Sequence, residues 1–303
     1  MDAVTRTLGS HTTVLFGAET GKYPDGNSVI VRGSHSTLLI DPSLSVHSSS
    51  PAIEVDHVLL THAHEDHMAG LSAVRSGSIS VHDADLAALQ SVDGLMQLYG
   101  IPPEGVSGMT ALVVDRFHYR GWPEATGFGD GAVWELGGVS VLAVHAPGHT
   151  AGHCVFVIEP DDGSHRVVVL GDIDLSSFGP YYGDAASSLE DFQATLAMLP
   201  SIAADHYVTF HHKGVLDGHE RFVEAVDGFA SMIDRREHAL VGLLASPRTL
   251  GELCEIGIVY RPGTRPPLFG DGVELHSITR HLDRLIATGH VVSDDARYRL
   301  VGG

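Results

Sequence analysis

The feature that most constrains this chain is a repeated placement: a short apolar run, a small or turning residue, then a side chain of metal-ligand type. The first instance is the densest. Val58-Leu59-Leu60 has the composition of a buried strand, Thr61 ends it, and His62-Ala63-His64-Glu65-Asp66-His67 follows directly. Val144-His145-Ala146-Pro147-Gly148-His149 turns on Pro-Gly before a histidine; Val167-Val168-Val169-Leu170-Gly171 runs into Asp172; Tyr207-Val208-Thr209-Phe210 runs into His211-His212. A strand end is a rigid platform from which alternate side chains can converge. Three imidazoles and a carboxylate within six residues are costly to bury without a cation. An isolated His-x-His would fit an exposed polar loop; this denser pattern points to metal. Neutral imidazole with carboxylate suits Zn2+, with Fe or Mn accepted according to supply.

Bulk properties narrow the frame. The 303 residues suffice for one large domain, or a main domain with a small appendage, and 43% hydrophobic content supports a sizeable core. Thirty-eight acidic against 18 basic residues give a formal charge of −20, which repels phosphate backbones and anionic lipid and disfavours nucleic-acid and membrane partners. Cys154 and Cys254 lie in apolar runs and read as buried free thiols of a reducing compartment. The first ten residues lack an apolar signal core, and no stretch approaches the roughly 20 apolar residues of a spanning helix. A cytoplasmic protein is the expectation.

Strands are predicted at Thr12–Phe16, Ser28–Arg32, Ser36–Ile40, His57–Leu60 and Ile79–His82, then at Ala132–Leu136, Val139–His145, Cys154–Ile158, Val167–Leu170 and, last, Tyr207–Phe210. Helices are predicted at Asp66–Val74, at Asp83–Gln90 with Asp83 as N-cap, and at Leu189–Leu199. Residues 91–130 lack periodicity and read as a connecting segment covering the substrate. From Glu220, the spacing of Phe222, Ala225, Val226, Phe229, Met232 and Ile233 predicts a long amphipathic helix. Two further helices and a hairpin closed at Asp294-Asp295 give a winged-helix-like order. The expected domains are 1–235, catalytic, and 236–303, the tail.

The His-rich segments resemble the metallo-β-lactamase superfamily over roughly residues 12–215. The His-x-His-x-Asp-His signature is complete in His62, His64, Asp66 and His67; the Pro-Gly-His-Thr element at 147–150, Gly171-Asp172 and a late strand-end histidine follow in the family's order. The resemblance implies an α/β, four-layer αβ/βα sandwich with two metal ions, the first held by His62, His64 and His149. Asp66, His67 and a late histidine would hold the second, and Asp172 would bridge both. Matching Thr209-Phe210-His211 to the family's late motif favours His211 over His212. His145 and His153 would support the ligands without binding metal.

Two such metals can share a hydroxide and polarise a substrate oxygen, with Asp66 or Asp172 handling the proton. Tyr181 and Tyr182 either donate to a substrate carbonyl or pack their loop. The form Pro147-Gly148-His149-Thr150-Ala151-Gly152-His153 is similar to that of glyoxalase II, and single-loop lactonases share the metal set, so a small carboxylic thioester, ester or lactone is the expected substrate. The tail resembles that of the mitochondrial endoribonuclease branch, which makes RNA cleavage the alternative; β-lactam hydrolysis is a third and a non-enzymatic binding module a fourth. The tail more simply packs on the core, caps the cleft or forms a homodimer.

Overall fold

The computed structural model describes residues 4–49 and 52–302. One sheet holds seven strands in chain order: β1 (Thr5–Leu8), β2 (Thr12–Leu15), β3 (Ser28–Arg32), β4 (Thr37–Ile40), β5 (Glu54–Leu59), β6 (Arg75–His82) and β7 (Thr126–Phe128). Pairing is antiparallel from β1 to β4 and parallel from β4 to β7. The second sheet comprises β8 (Val133–Glu135), β9 (Val139–His145), β10 (Cys154–Pro160), β11 (Val167–Val169), β12 (His206–Val208) and β13 (Val215–Asp217), in reverse spatial order; only β11 and β12 pair parallel.

The apolar runs are continuous because both faces of each sheet are covered. Val29, Val31, Leu38, Ile40 and Leu59 face Cys154, Phe156, Ile158, Val167 and Val169 across the sandwich. The alternate residues Ile30, Leu39, Val58 and Leu60 face helices Leu86–Gln90, Val92–Tyr99 and Pro103–Phe117. Val155, Val157 and Val168 face helices Leu189–Met198 and His219–Leu243. Period-two alternation thus builds three cores from single strands, and the result is the four-layer αβ/βα sandwich.

Four expectations are corrected. Asp66–Val74 is no α-helix: its backbone turns into the site, Gly70 N donates to Pro42 O at 2.7 Å, and only Leu71–Ala73 forms a 3-10 turn. Asp83 is no α-helix N-cap: Asp83–Asp85 is a 3-10 turn capped by the His82 ring, which accepts from Ala84 N at 3.2 Å. Residues 91–130 hold two helices and a strand. Their periodicity is faint because helix Pro103–Phe117 buries only Met109, Val113 and Phe117, a stripe of one residue per turn, and carries Gly105 and Gly108. Tyr207–Phe210 is not the last strand of its sheet, since β13 follows at the edge.

Helix His219–Leu243 runs unbroken through residue 235. Phe222, Val226, Phe229 and Ile233 pack beneath the second sheet, whereas Leu240 joins Leu244, Leu253, Ile278 and Leu282 in a separate core. That core is closed by helix Leu250–Ile256, which begins with a Thr249/Glu252 capping box, by helix Gly270–Ala287, and by a small sheet of β14 (Arg248–Thr249), β15 (Val291–Asp294) and β16 (Arg297–Leu300). The hairpin loop is Asp295-Ala296, both at positive φ, one residue later than the sequence suggests. Among the described residues no helix is long and apolar enough to cross a membrane.

Candidate metal centre

Residues 58–71 are buried without interruption, so the backbone of the His-rich loop must find partners inside the protein. Three acidic side chains anchor it and its neighbours. Asp41 accepts from Thr61 N at 2.8 Å and from Thr61 Oγ1 at 2.7 Å, and faces His67 Nδ1 at 3.0 Å. Asp85 accepts from Ala63 N at 3.2 Å, Thr150 Oγ1 at 2.7 Å and Gly152 N at 2.8 Å, tying this loop to the one that carries His149. Glu65 is gripped by two tyrosines: Tyr23 donates at 3.0 Å and Tyr99 donates to its other oxygen.

The loops bring seven expected ligands together. His62, His64, His149 and Asp172 form one group and Asp66, His67 and His211 another, each with its ligand atoms within 4.8 Å of one another. Asp172 stands between them, with Oδ2 3.2 Å from His149 Nε2 and Oδ1 3.0 Å from His67 Nε2 and 3.6 Å from His211 Nε2. His211 Nε2 also lies 3.0 Å from Asp66 Oδ2.

For three of the rings an outward hydrogen bond fixes the tautomer. Thr61 Oγ1 donates to Asp41 and so accepts from His62 Nδ1 at 3.1 Å. His149 Nδ1 donates to Tyr181 O at 2.9 Å and His211 Nδ1 to Gly21 O at 2.7 Å, while His67 Nδ1 faces Asp41 Oδ2 and His64 Nε2 faces Asp184 Oδ2, each at 3.0 Å. In their neutral form the five rings would turn lone pairs inward, where His149 Nε2 meets His62 Nε2 at 3.1 Å and His64 Nδ1 at 3.0 Å. Lone pairs facing one another, and facing two carboxylates, call for positive charge. That donor set fits divalent cations.

The titration behaviour carries the same demand. Burial raises Asp172, but His211 and His67 outweigh it and hold the carboxyl well below its usual range. Burial lowers the His64 and His211 rings, yet Asp184 on one side and Asp172 with Asp66 on the other push both up to about 9. A divalent cation held there would take the place of those protons. His153, by contrast, is lowered to about 3 by burial and the neighbouring His149. It stays neutral, donates through Nδ1 to Ala146 O at 3.0 Å, and accepts from Asp172 N at 3.3 Å.

The remaining sequence candidates divide. His212 is 42% exposed at its side chain, sits at positive φ and lies 3.8 Å from Asp174, outside both ligand groups. Tyr181 lines the cleft and donates to Asp184 Oδ1 at 3.1 Å. Tyr182 points the other way, its hydroxyl buried 3.0 Å from His281 Nε2 on the tail helix. His145 stacks on His82 with centroids 4.2 Å apart, away from the ligands. Sequence reasoning missed Asp41, Asp85, Asp184, Tyr23 and Tyr99, which no spacing rule connects to the ligand loops.

The cluster forms the floor of a cavity of about 830 Å³. Tyr23, Glu65 and Tyr99 stand near the ligands, while the start of helix Pro103–Phe117 and residues 266–276 of the tail form the far walls.

A buried imidazole and carboxylate cluster at the strand ends of an αβ/βα sandwich defines a metal-dependent hydrolase. The family model of the metallo-beta-lactamase superfamily matches residues 23–212, and the chain belongs to that superfamily. An atrochrysone carboxyl ACP thioesterase of Pseudocercospora fijiensis is 26% identical over 67% of this chain and 48% of its own length. An uncharacterized protein of Mycobacterium bovis is 33% identical over 38% of the chain and 49% of its own length. The chain thus spans about half the length of these curated relatives. Among solved structures, a β-lactamase domain protein from Burkholderia ambifaria superposes with a TM-score of 0.68 at 16% identity, covering 98% of this chain and 93% of that one. A metallo-β-lactamase family protein from Thermus thermophilus gives 0.63 at 20%, covering 91% and 94%.

Proposed function

We propose that this chain is a two-metal hydrolase, most simply a zinc enzyme, that cleaves a small carboxylic thioester, ester or lactone. The observation that carries the reading is Asp172, one carboxylate within 3.0–3.6 Å of His67, His149 and His211, and so shared by both ligand groups. His62, His64 and His149 would hold one cation, Asp66, His67 and His211 the other. Two divalent cations so held supply a hydroxide nucleophile near neutral pH and electrostatic stabilisation of the oxyanion.

The chain's own groups do the rest. Asp66 and Asp172 are both held below the usual carboxylate range despite burial, each by neighbouring histidines, so each is ionised as a metal-binding carboxylate must be, and either would orient the proton as the acyl bond breaks. Tyr181 places a hydroxyl at the wall of the cleft, where it would donate to the substrate carbonyl in exchange for its bond to Asp184. His153 orients Asp172 through its main-chain N–H. Thioesterase-named relatives support an acyl substrate. RNA is disfavoured by the formal charge of −20.

Native protein is expected to carry about two equivalents of metal, as a shared carboxylate between two ligand groups requires. Metal-loaded protein that hydrolyses nothing across a broad panel of thioesters, esters and lactones would overturn the reading.

A further inference from the structure

Resting on that hydrolase reading, we propose that the substrate is an electrically neutral ester, thioester or lactone with an extended apolar acyl group, and that carriers bearing phosphate, such as coenzyme A, are discriminated against. Water adds across the acyl C–O or C–S bond, which gives a carboxylic acid and an alcohol or thiol, or from a lactone a single hydroxy acid.

The argument starts from what the cavity offers beyond the metal ligands. Its far end is walled by Ile101, Pro102 and Met109 on one side and by Leu268, Phe269 and Leu275 from the tail on the other. Leu268 and Leu275 are 49% and 41% exposed, which leaves apolar surface for a bound group to cover. The two walls meet: a Cβ built on Gly108 would lie 3.1 Å from Leu268 Cδ2. The volume, about 830 Å³, is far more than an acetyl group fills and lies within the roughly 300–1,000 Å³ of small-molecule sites.

Charge decides the rest. Among the described residues no lysine or arginine lines the cavity, whereas Glu104, Asp174, Asp184 and Asp271 do. The arginines behind the tail wall are committed to the protein. Arg265 pairs with Asp271 at 2.9 Å and donates to Cys254 O, Arg236 donates to Phe178 O and Pro180 O, and Arg280 donates to main-chain carbonyls of residues 182–187. A phosphate entering here would lose water with no cation outside the metal centre to receive it. The tail loop is fixed in this role: the fully buried Glu274 accepts from the main-chain N–H groups of Ile258, Val259 and Tyr260 at 2.8–3.2 Å and so presents Tyr260 to the cavity.

The test uses the zinc-loaded full chain. Dissociation constants are measured for two non-hydrolysable thioethers, S-octyl-N-acetylcysteamine and S-octyl-coenzyme A, and kcat/KM for acetyl and octanoyl esters of one neutral phenol. The neutral thioether is expected to bind at least about ten-fold more tightly, and octanoyl to be preferred over acetyl by a similar factor, the order a few methylenes give in an apolar pocket. Leu268→Asp and, independently, Leu275→Ala should shrink the octanoyl preference, and Glu104→Lys should narrow the gap against the coenzyme A thioether. Equal or tighter binding of the coenzyme A compound, or no preference for octanoyl over acetyl, overturns the proposal. Thioether discrimination without turnover of any acyl substrate would sink the hydrolase reading and support this account of the pocket.

Discussion

His64 Nε2 lies 3.0 Å from Asp184 Oδ2, and the loop carrying Asp184 is clamped by Arg280 of the tail helix, which donates to Tyr182 O at 3.2 Å and Ser187 O at 2.8 Å and also bonds Asp184 O. A metal-ligand type histidine in the sandwich is thereby oriented from the separate tail core. Asp184→Asn keeps the shape but removes the charge that faces His64 Nε2. It is expected to weaken metal affinity by about 10–100-fold, measured by zinc titration against a chromophoric chelator. The far-ultraviolet circular dichroism should not change.

Asp85 joins the two ligand loops through three hydrogen bonds while itself only 1% exposed. Asp85→Ala leaves Ala63 N, Gly152 N and the Thr150 hydroxyl buried without partners, each unsatisfied group costing about 1–3 kcal/mol. A loss of roughly 3 kcal/mol in urea unfolding is expected, partly offset where water enters. Asp85→Asn, which keeps two acceptor positions but only one oxygen, should lose less. A change below about 0.5 kcal/mol for the alanine variant would show that the loops are held elsewhere.

The sequence made the ligand loops legible because a metal centre forces rare residue types onto strand ends, and strands buried on both faces announce themselves as apolar runs. Where charge is mixed in, only part of a strand was readable: β5 begins at Glu54, three residues before the predicted start, since Glu54 and Asp56 alternate with half-buried neighbours. Helix Pro103–Phe117 was hidden by its one-residue-per-turn stripe. Tyr182 was a candidate with Tyr181 because their stretch follows Asp172, yet its hydroxyl meets His281 instead. Asp41, Asp85 and Asp184 were illegible for a different reason: a carboxylate that supports a ligand from a distant loop carries no local spacing.

Glu237 connects the long helix to the tail. His281 Nδ1 lies 3.2 Å from its Oε2 and Arg284 Nε donates to the same oxygen at 2.8 Å, and these bonds hold the carboxyl below its ordinary value of 4.5. A carboxyl depressed in the folded protein stabilises it above the unfolded pKa and loses that contribution as pH falls through the lower folded value. Glu237→Gln is expected to cost about 1 kcal/mol at pH near 7, a modest figure because the pair is partly exposed. The difference from the unsubstituted protein should shrink below about pH 4.5. Urea unfolding of both proteins across that range checks it, and a gap that widens in acid would contradict the assignment.

The last prediction concerns the adjacent pair His211 and His212. The chain turns at His212, whose φ of 61° swings the ring toward Asp174, while His211 points back between Asp66 and Asp172 with its Nδ1 fixed on Gly21 O. One residue thus separates a buried candidate ligand from a half-exposed histidine. His211→Ala removes a donor from the group that contains Asp66 and His67 and is expected to reduce bound metal from about two equivalents to about one. His212→Ala should retain both. Metal content of the two purified variants, measured by plasma mass spectrometry after dialysis against metal-free buffer, separates them. Loss of an equivalent from His212→Ala alone would mean that the loop rearranges when the metals bind, because neither ring can reach the other's position without moving the main chain between β12 and β13.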